Sequence, residues 1–466
     1  MLAKRFSPAT ALILGWLTLL GGAAAGTAAG TTIAPDTTVD QFGEGGASCS
    51  LREAVQAANS DIAVGGCPAG AGADTISLAP GTYQLTRTGA EDANAMGDLD
   101  VTGDLTISND NALPAVIDGS GGGDRVLHLL AGAVTIQRVT IQGGDAGSAG
   151  GGTASGGGIF TASATSLTLR DSTIAGNRTD TYGGGIASVG NVLIRNVTIV
   201  GNQAAISGGG YARSANGLIG ALNNATITGN LADSDSAGNP GGDGGGVAVV
   251  GTGDVLTLKN SIVQANRDGS SAGTVAPDCN GGPTSLGHNI VGSTANCDYT
   301  GSAADLIGAD PLLGPLADNG GPTPTEGLLS GSPALDVGGV DCAPADQRGT
   351  PREACDIGAY ELARCGGRLV NRIGTAGPDA LAGGPGPDGF LLLAGNDLAR
   401  GLGGGDGICG GRGRDKLRGG PGSDRLLGEG GRDKLVGGRG GDVLKGGPGR
   451  DRCRGGPGHD SEKSCR

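Results

Sequence analysis

Aspartate recurs at every ninth position near the C-terminus without a missed step: Asp379, Asp388, Asp397, Asp406, Asp415, Asp424, Asp433, Asp442, Asp451 and Asp460. Aligned on them, the unit reads G-G-x-G-x-D-x-U-x. Leu381, Phe390, Ala399, Ile408, Leu417, Leu426, Leu435, Leu444 and Cys453 fill the U position until Glu462 ends the apolar series. One apolar residue in nine builds no conventional core. A short strand turned by a glycine loop, twice per coil, stacks those residues into an inner column, so two units make one turn. Alternate aspartates then share an edge, about 4.8 Å above one another, the spacing of adjacent strands. In water such neighbouring carboxylates repel by roughly 0.9 kcal/mol per pair, and more once desolvated. A cation is expected between them, and loops that expose carbonyls beside carboxylates offer the all-oxygen environment calcium prefers.

The units GGRGRDKLR, GGPGSDRLL and GGRGGDVLK resemble the hemolysin-type (RTX) calcium-binding nonapeptide over about Gly374 to Asp460. That resemblance implies a parallel β-roll whose loop carbonyls and aspartates bind calcium. Asp388, Asp406, Asp424, Asp442 and Asp460 would lie on one edge, and Asp379, Asp397, Asp415, Asp433 and Asp451 on the other. The edges differ in their neighbours. On the first, the residue before aspartate is Pro387, Gly405, Ser423, Gly441 or His459. On the second it is Pro378, Asn396, Arg414, Arg432 or Arg450, with Lys416, Lys434 and Arg452 following the last three. The second edge therefore carries a basic stripe. We expect its arginines partly to replace calcium while the first edge keeps its sites; simple solvation of these side chains is the alternative.

Lys4 and Arg5 precede an apolar run from Ala9 to Leu20, followed by small residues suited to cleavage, so residues 1–29 read as a secretory signal peptide. The run is shorter than the roughly 20 residues a bilayer span needs, and no membrane span is expected in the mature chain. With 100 glycines in 466 residues, 2% aromatics and the one tryptophan, Trp16, inside that leader, large aromatic cores are excluded. Ten cysteines fall in close pairs, Cys49 with Cys67, Cys279 with Cys297, Cys342 with Cys355 and Cys453 with Cys465, leaving Cys365 and Cys409. In an exported chain local disulfides are expected. Zinc is disfavoured, because there is no CxxC pair and only three histidines occur, His128, His288 and His459. The formal charge of -14 hides an asymmetry: from Cys365 onward 17 Lys+Arg face 12 Asp+Glu, whereas the body without its leader holds 13 against 34. An acidic body carries a basic tail.

Upstream, LTLRDSTIAGN from Leu167, VLIRNVTIVGN from Val192, GALNNATITGN from Gly220 and LTLKNSIVQAN from Leu256 end on Asn177, Asn202, Asn230 and Asn266. Their alternating apolar residues are strand-like, and the unequal steps between the asparagines suit a coil with loops of variable length. These segments resemble rungs of a right-handed parallel β-helix with stacked corner asparagines, and their signatures resemble polymorphic outer-membrane protein repeats. CSLREAVQAAN, Cys49 to Asn59, predicts the one clear helix, with Ser50 and Glu53 as a capping box and Leu51, Ala54, Val55 and Ala58 as its apolar face. It resembles the CSLREA domain, placed to cap the open end of a β-coil. DTISLAPGTYQL from Asp74 reads as the first rung. Gly308 to Glu361 resembles the choice-of-anchor Q domain that closes such helices in secreted or surface proteins.

The expected fold is all-β: a right-handed parallel β-helix with an N-terminal capping helix, followed by a parallel β-roll of nonapeptide repeats. Its divisions are expected at 1–29 (signal peptide), 30–120 (CSLREA-type cap and first rungs), 121–300 (parallel β-helix), 301–364 (choice-of-anchor Q-like closing segment) and 365–466 (RTX-like β-roll). The β-helix fold is shared with pectate lyases, so catalysis must be weighed from residues. Arg170, Arg195, Asn223 and Lys259 form one column with Asp171, Asn196, Asn224 and Asn260 beside it. Such a column could hold an acidic glycan, yet it lacks the paired acids of a glycosidase, and solvated turn residues are the preferred reading. His128 and His288 read as isolated, and Arg52 with Glu53 as part of the cap. The basic tail lacks aromatic residues for stacking bases, so no specific nucleic-acid partner is expected. The favoured reading is a secreted or cell-surface calcium-binding protein of adhesin or structural kind, with calcium ions and a surface polymer or acidic polysaccharide as partners. A carbohydrate-active enzyme, lyase or glycosidase, is the alternative.

Overall fold

Alternation sets the body. In the computed structural model, which describes residues 29–466 except 44–45, 90, 148–153, 215–216, 236–242, 271–274, 353 and 376, Val192 and Ile194 are buried while Leu193 between them is exposed. The expected leader lies, but for its last residue, outside the described residues. Successive rungs pair in parallel and in register, so aliphatic side chains stack. One column runs Ile107, Ile136, Leu169, Ile194, Leu222 and Leu258. A second runs Ile141, Ile174, Ile199, Ile227, Val263 and Val291. Burying each such residue contributes about 1.5–3 kcal/mol against about 0.5–1.5 for a net hydrogen bond, so these columns dominate the cohesion between coils. The result is a parallel β-helix, with a single α-helix among the described residues.

The corners are built by polar ladders. Asn177, Asn202, Asn230 and Asn266 are buried, and the backbone N–H of each of the first three donates to the Oδ1 of the next, at 3.0, 2.9 and 3.1 Å. Asn266 donates in turn to Asp278 Oδ1 at 3.1 Å, a terminating residue that the sequence pattern did not mark. Each amide Nδ2 also reaches a carbonyl on the neighbouring turn, as Asn202 does to Ile174 at 3.0 Å. At a second bend Asp171, Asn196, Asn224 and Asn260 all adopt left-handed φ values between 48° and 53°, a conformation that asparagine and aspartate tolerate better than other side chains. The glycine triplets at 156–158, 183–185, 208–210 and 244–246 supply a third close approach between coils. A Cβ on Gly184 would lie 2.4 Å from the Gln203 carbonyl oxygen.

The N-terminal helix, Leu51–Ser60, carries the capping box: Ser50 N–H donates to Glu53 and Glu53 N–H to Ser50 Oγ. Arg52 is fully buried, paired with Asp40 at 2.7 Å and donating to the carbonyls of Gly97 and Asp98 at 2.7 Å, which locks the helix onto the first coils. Ahead of the expected first rung, Thr32–Ile33 forms a further strand on Thr75 and Ile76. The structure joins Cys49 to Cys67, Cys279 to Cys297, Cys342 to Cys355, Cys365 to Cys409 and Cys453 to Cys465.

The segment read as closing the helix runs along its flank instead of merely ending it. Gly339, Ala343 and Ala345 hydrogen-bond to Asn260, Asn224 and Asn196, and Gln347 bridges Thr173 and Thr198. These outward-facing side chains are uncharged, so they can be covered and satisfied at the same time. Ile262, Ile290, Leu328, Ala334, Ile357 and Tyr360 form a second apolar cluster beneath this strap.

From Arg372 onward the register becomes uniform: Phe390 pairs with Ile408, Leu426, Leu444 and Glu462 in one sheet, and Leu381 with Ala399, Leu417, Leu435 and Cys453 in the opposite one. Their apolar side chains, with Leu392 and without the exposed Glu462, make a separate narrow core. No helix among the described residues is long and apolar enough to cross a membrane.

Asn202→Ala removes both donor and acceptor from the middle of the buried ladder. It is expected to lower stability by about 2 kcal/mol or more, because the Asn177 N–H and the Ile174 carbonyl lose partners together. The urea midpoint of the purified chain would report it, and an unchanged midpoint would contradict the ladder's energetic role.

Candidate metal centre along the aspartate edges

The two expected aspartate columns exist as ladders. The backbone N–H of each aspartate donates to the Oδ1 of the aspartate 18 residues on. Asp388 to Asp406, Asp406 to Asp424, Asp424 to Asp442 and Asp442 to Asp460 do so at 2.8–3.0 Å on one edge. Asp379 to Asp397, Asp397 to Asp415, Asp415 to Asp433 and Asp433 to Asp451 do so on the other. The second carboxylate oxygen is the informative one. Oδ2 of Asp397, Asp406, Asp415, Asp424, Asp433, Asp442 and Asp451 is buried with no hydrogen-bond partner. At the N-terminal end, Asp379 and Asp388 instead receive loop N–H groups from Thr375 and Gly384 at 2.6 Å.

Six of the seven orphaned oxygens, all but that of Asp397, face the glycine that opens their own loop. A Cβ on Gly419 would lie 2.1 Å from Asp424 Oδ2, and one on Gly437 would lie 2.3 Å from Asp442 Oδ2. The first glycine, replaced by Leu392 only in the repeat of Asp397, therefore keeps side-chain atoms out of the space before the carboxylate. Desolvation, reinforced by carboxylates above and below, raises Asp415 and Asp424 to about 6, and Asp397, Asp406, Asp433 and Asp442 are raised for the same leading reason. A buried column of acids that favours protonation, with acceptor oxygens only and room before each, fits a hard cation and fits no hydrogen-bonding side chain nearby.

The arginines of the second edge do not fill that role. Arg414, Arg432 and Arg450 are exposed, and none of the three forms an ion pair with an aspartate among the described residues. The expectation that they replace calcium is therefore corrected: the aspartates point inward beneath the loops, and a residue one position earlier in a strand-like turn points outward. A cationic contribution falls on the first edge, where Arg368 lowers Asp406 and Asp424 against the dominant desolvation.

The body supplies no comparable site in the column considered for catalysis. Arg170, Arg195, Asn223 and Lys259 are in register, but Asn223 and Lys259 bind Asp341 of the strap. The column is thus partly a docking seam, where solvated turns were expected. The histidines are not isolated either. His288 Nδ1 lies 2.7 Å from the Val337 carbonyl, and His128 Nδ1 lies 3.3 Å from both Asp92 and Asp100, with Phe160 across its ring. The acid-dense stretch Glu91 to Asp100 was the overlooked signal. Nearby Asp98, buried and close to Asp100 and Asp124, is raised to about 9 despite Arg125 and Arg52.

A family model described as the RTX calcium-binding nonapeptide repeat (4 copies) matches residues 400–435 and 427–462. The array is thus of a calcium-binding class, and the match covers well under half of the chain. Among curated proteins and among solved structures nothing matches.

Two outcomes are expected. Gly419→Ala should weaken calcium binding by the array in calorimetric titration, because its methyl group would occupy the space before Asp424; equal binding would contradict the cradle. Without calcium, the folded array holds protons on Asp415 and Asp424 up to pH about 6, whereas an unfolded chain releases them near about 3.9. The folded state binds more protons in that window, so its stability falls as pH rises through it. Calcium-free melting should therefore be higher near the acidic limit of that window than above it, and the difference should shrink in Asp415→Asn/Asp424→Asn. A calcium-free profile identical in the two proteins would count against these aspartates.

Proposed function

We propose that this chain is a secreted or surface-held structural protein, without enzymatic activity, whose tail is folded and stiffened by calcium. The observation that carries the proposal is the run of seven buried Oδ2 atoms without partners. Asp388, Asp406, Asp424, Asp442 and Asp460 would hold ions on one edge, and Asp379, Asp397, Asp415, Asp433 and Asp451 on the other. When bound, calcium supplies the positive charge and the oxygen-seeking coordination that the carboxylates lack. The chain's own contribution is positional: Oδ1 is tied to the preceding turn, the opening glycine leaves space, and Oδ2 stays dry. Extracellular modules bind calcium at about 10⁻⁴ to 10⁻³ M, an affinity suited to folding only after export.

The rest of the chain fits a rigid carrier. We read residues 30–120 as a CSLREA-type cap with first rungs, 121–300 as the β-helix, 301–364 as a choice-of-anchor Q-like strap and 365–466 as the calcium array, behind a leader at 1–29. A polysaccharide-cleaving activity is disfavoured because the strap engages the one basic column considered for it.

Titrating calcium into residues 365–466, followed by circular dichroism and heat, tests this reading. A gain of β-structure with up to one ion per stacked pair, about eight in all, is expected if both edges work. About four would restrict binding to one edge, and no structural response would end the calcium reading. Release of reducing or unsaturated ends from acidic polysaccharides, abolished in Arg170→Ala/Arg195→Ala, would overturn the non-enzymatic assignment.

A further inference from the structure

The second aspartate edge carries six cations that have no ion-pair partner among the described residues. Lys416, Lys434 and Arg452 are in register on successive strands, and Arg414, Arg432 and Arg450 stand two residues before them at the loop. All six are exposed, and none makes an ion pair among the described residues. They line a single groove of about 460 Å³ along the edge, with Asp397, Asp415 and Asp433 set into its wall. Composition alone does not explain the stripe. The matching outward position on the opposite sheet is filled by Gly407, Arg425, Val443 and Ser461, one cation in four rungs.

From this geometry we propose that the groove binds an extended, linear, carboxylated polysaccharide laid along the coil axis. Two parallel columns of cations rise by about 4.8 Å per rung. A stiff polyuronate, with one carboxylate on each sugar ring, presents anions in a comparably regular row, and the guanidinium fork matches a carboxylate in shape. No aromatic side chain lines the groove, so nucleobases would find nothing to stack on. The acidic body repels a polyanion, which restricts it to the tail. Calcium beneath the stripe would add positive charge to the wall. The inference rests on the calcium-folded array, because only stacked rungs align the cations.

The test uses the full chain in calcium, with a short oligogalacturonate, a neutral dextran and a single-stranded DNA oligonucleotide as probes. Oligogalacturonate should bind in a salt-sensitive manner and dextran should not. Replacing Arg414, Lys416, Arg432, Lys434, Arg450 and Arg452 by serine should weaken it by about tenfold or more. Arg425→Ser/Lys445→Ser on the other sheet should leave it unchanged. Retained binding in the six-site variant, equal loss in the control variant, or tighter binding of the DNA would each overturn the proposal. Circular dichroism with and without calcium accompanies every protein. Wild-type binding with no calcium response would sink the calcium reading and leave the groove standing. If the six-site variant alone loses the calcium response, Arg432→Ser at the centre of the stripe decides, with about a threefold loss expected and none overturning the proposal.

Discussion

One interaction recurs from end to end of this molecule: a side-chain oxygen on one coil accepts the backbone N–H of the coil before it. In the body the acceptor is an asparagine, and in the tail an aspartate. The two differ by one atom, and that atom divides the protein. The asparagine Nδ2 is a donor and finds a carbonyl and the next amide, so the ladder satisfies itself. The aspartate Oδ2 is a further acceptor in a place with no donor left to offer. A ladder of the first kind is complete as protein alone; a ladder of the second kind leaves one acceptor per rung without a protein partner.

The remaining architecture follows that division. The body can rely on columns of aliphatic side chains, a helical cap pinned by buried Arg52 and a strap hydrogen-bonded along its flank. The tail has only eight buried core residues in its own cluster, a thin core for ten repeats. The backbone-to-aspartate hydrogen bonds along its edges add to that core from rung to rung. Because the carboxylates are turned inward, the basic residues beside them are left outward and unpaired. The same loops thus present unpartnered carboxylate oxygens inside and exposed basic side chains outside.

Much of this was legible from residues. The nine-residue period, the alternation between two edges and the apolar inner column all follow from spacing, because a repeat short enough to form one strand and one turn leaves a single way to stack. The cap was readable from Ser50 and Glu53. Less legible were contacts between segments distant in sequence. Arg414 and Asp415 are neighbours in the chain, and adjacency suggested pairing, but the turn sends them to opposite sides. His128 looked isolated because Asp92 and Asp100 reach it from another rung. The strap looked like an end-piece because nothing local says that Gln347 lies against Thr173 and Thr198.

By itself, then, the sequence determined the repeat, the coil it winds into, the identity of the edge residues and the four close pairs of cysteines, since each depends on spacing within a few tens of residues. Only the tertiary structure decided which carboxylate oxygens are orphaned, that the basic stripe is gathered into one groove with no ion pair among the described residues, and that the strap binds Asn223 and Lys259 of the body's basic column. Those facts depend on the direction a side chain takes once the coil is closed, and on which distant surface then comes to lie against it.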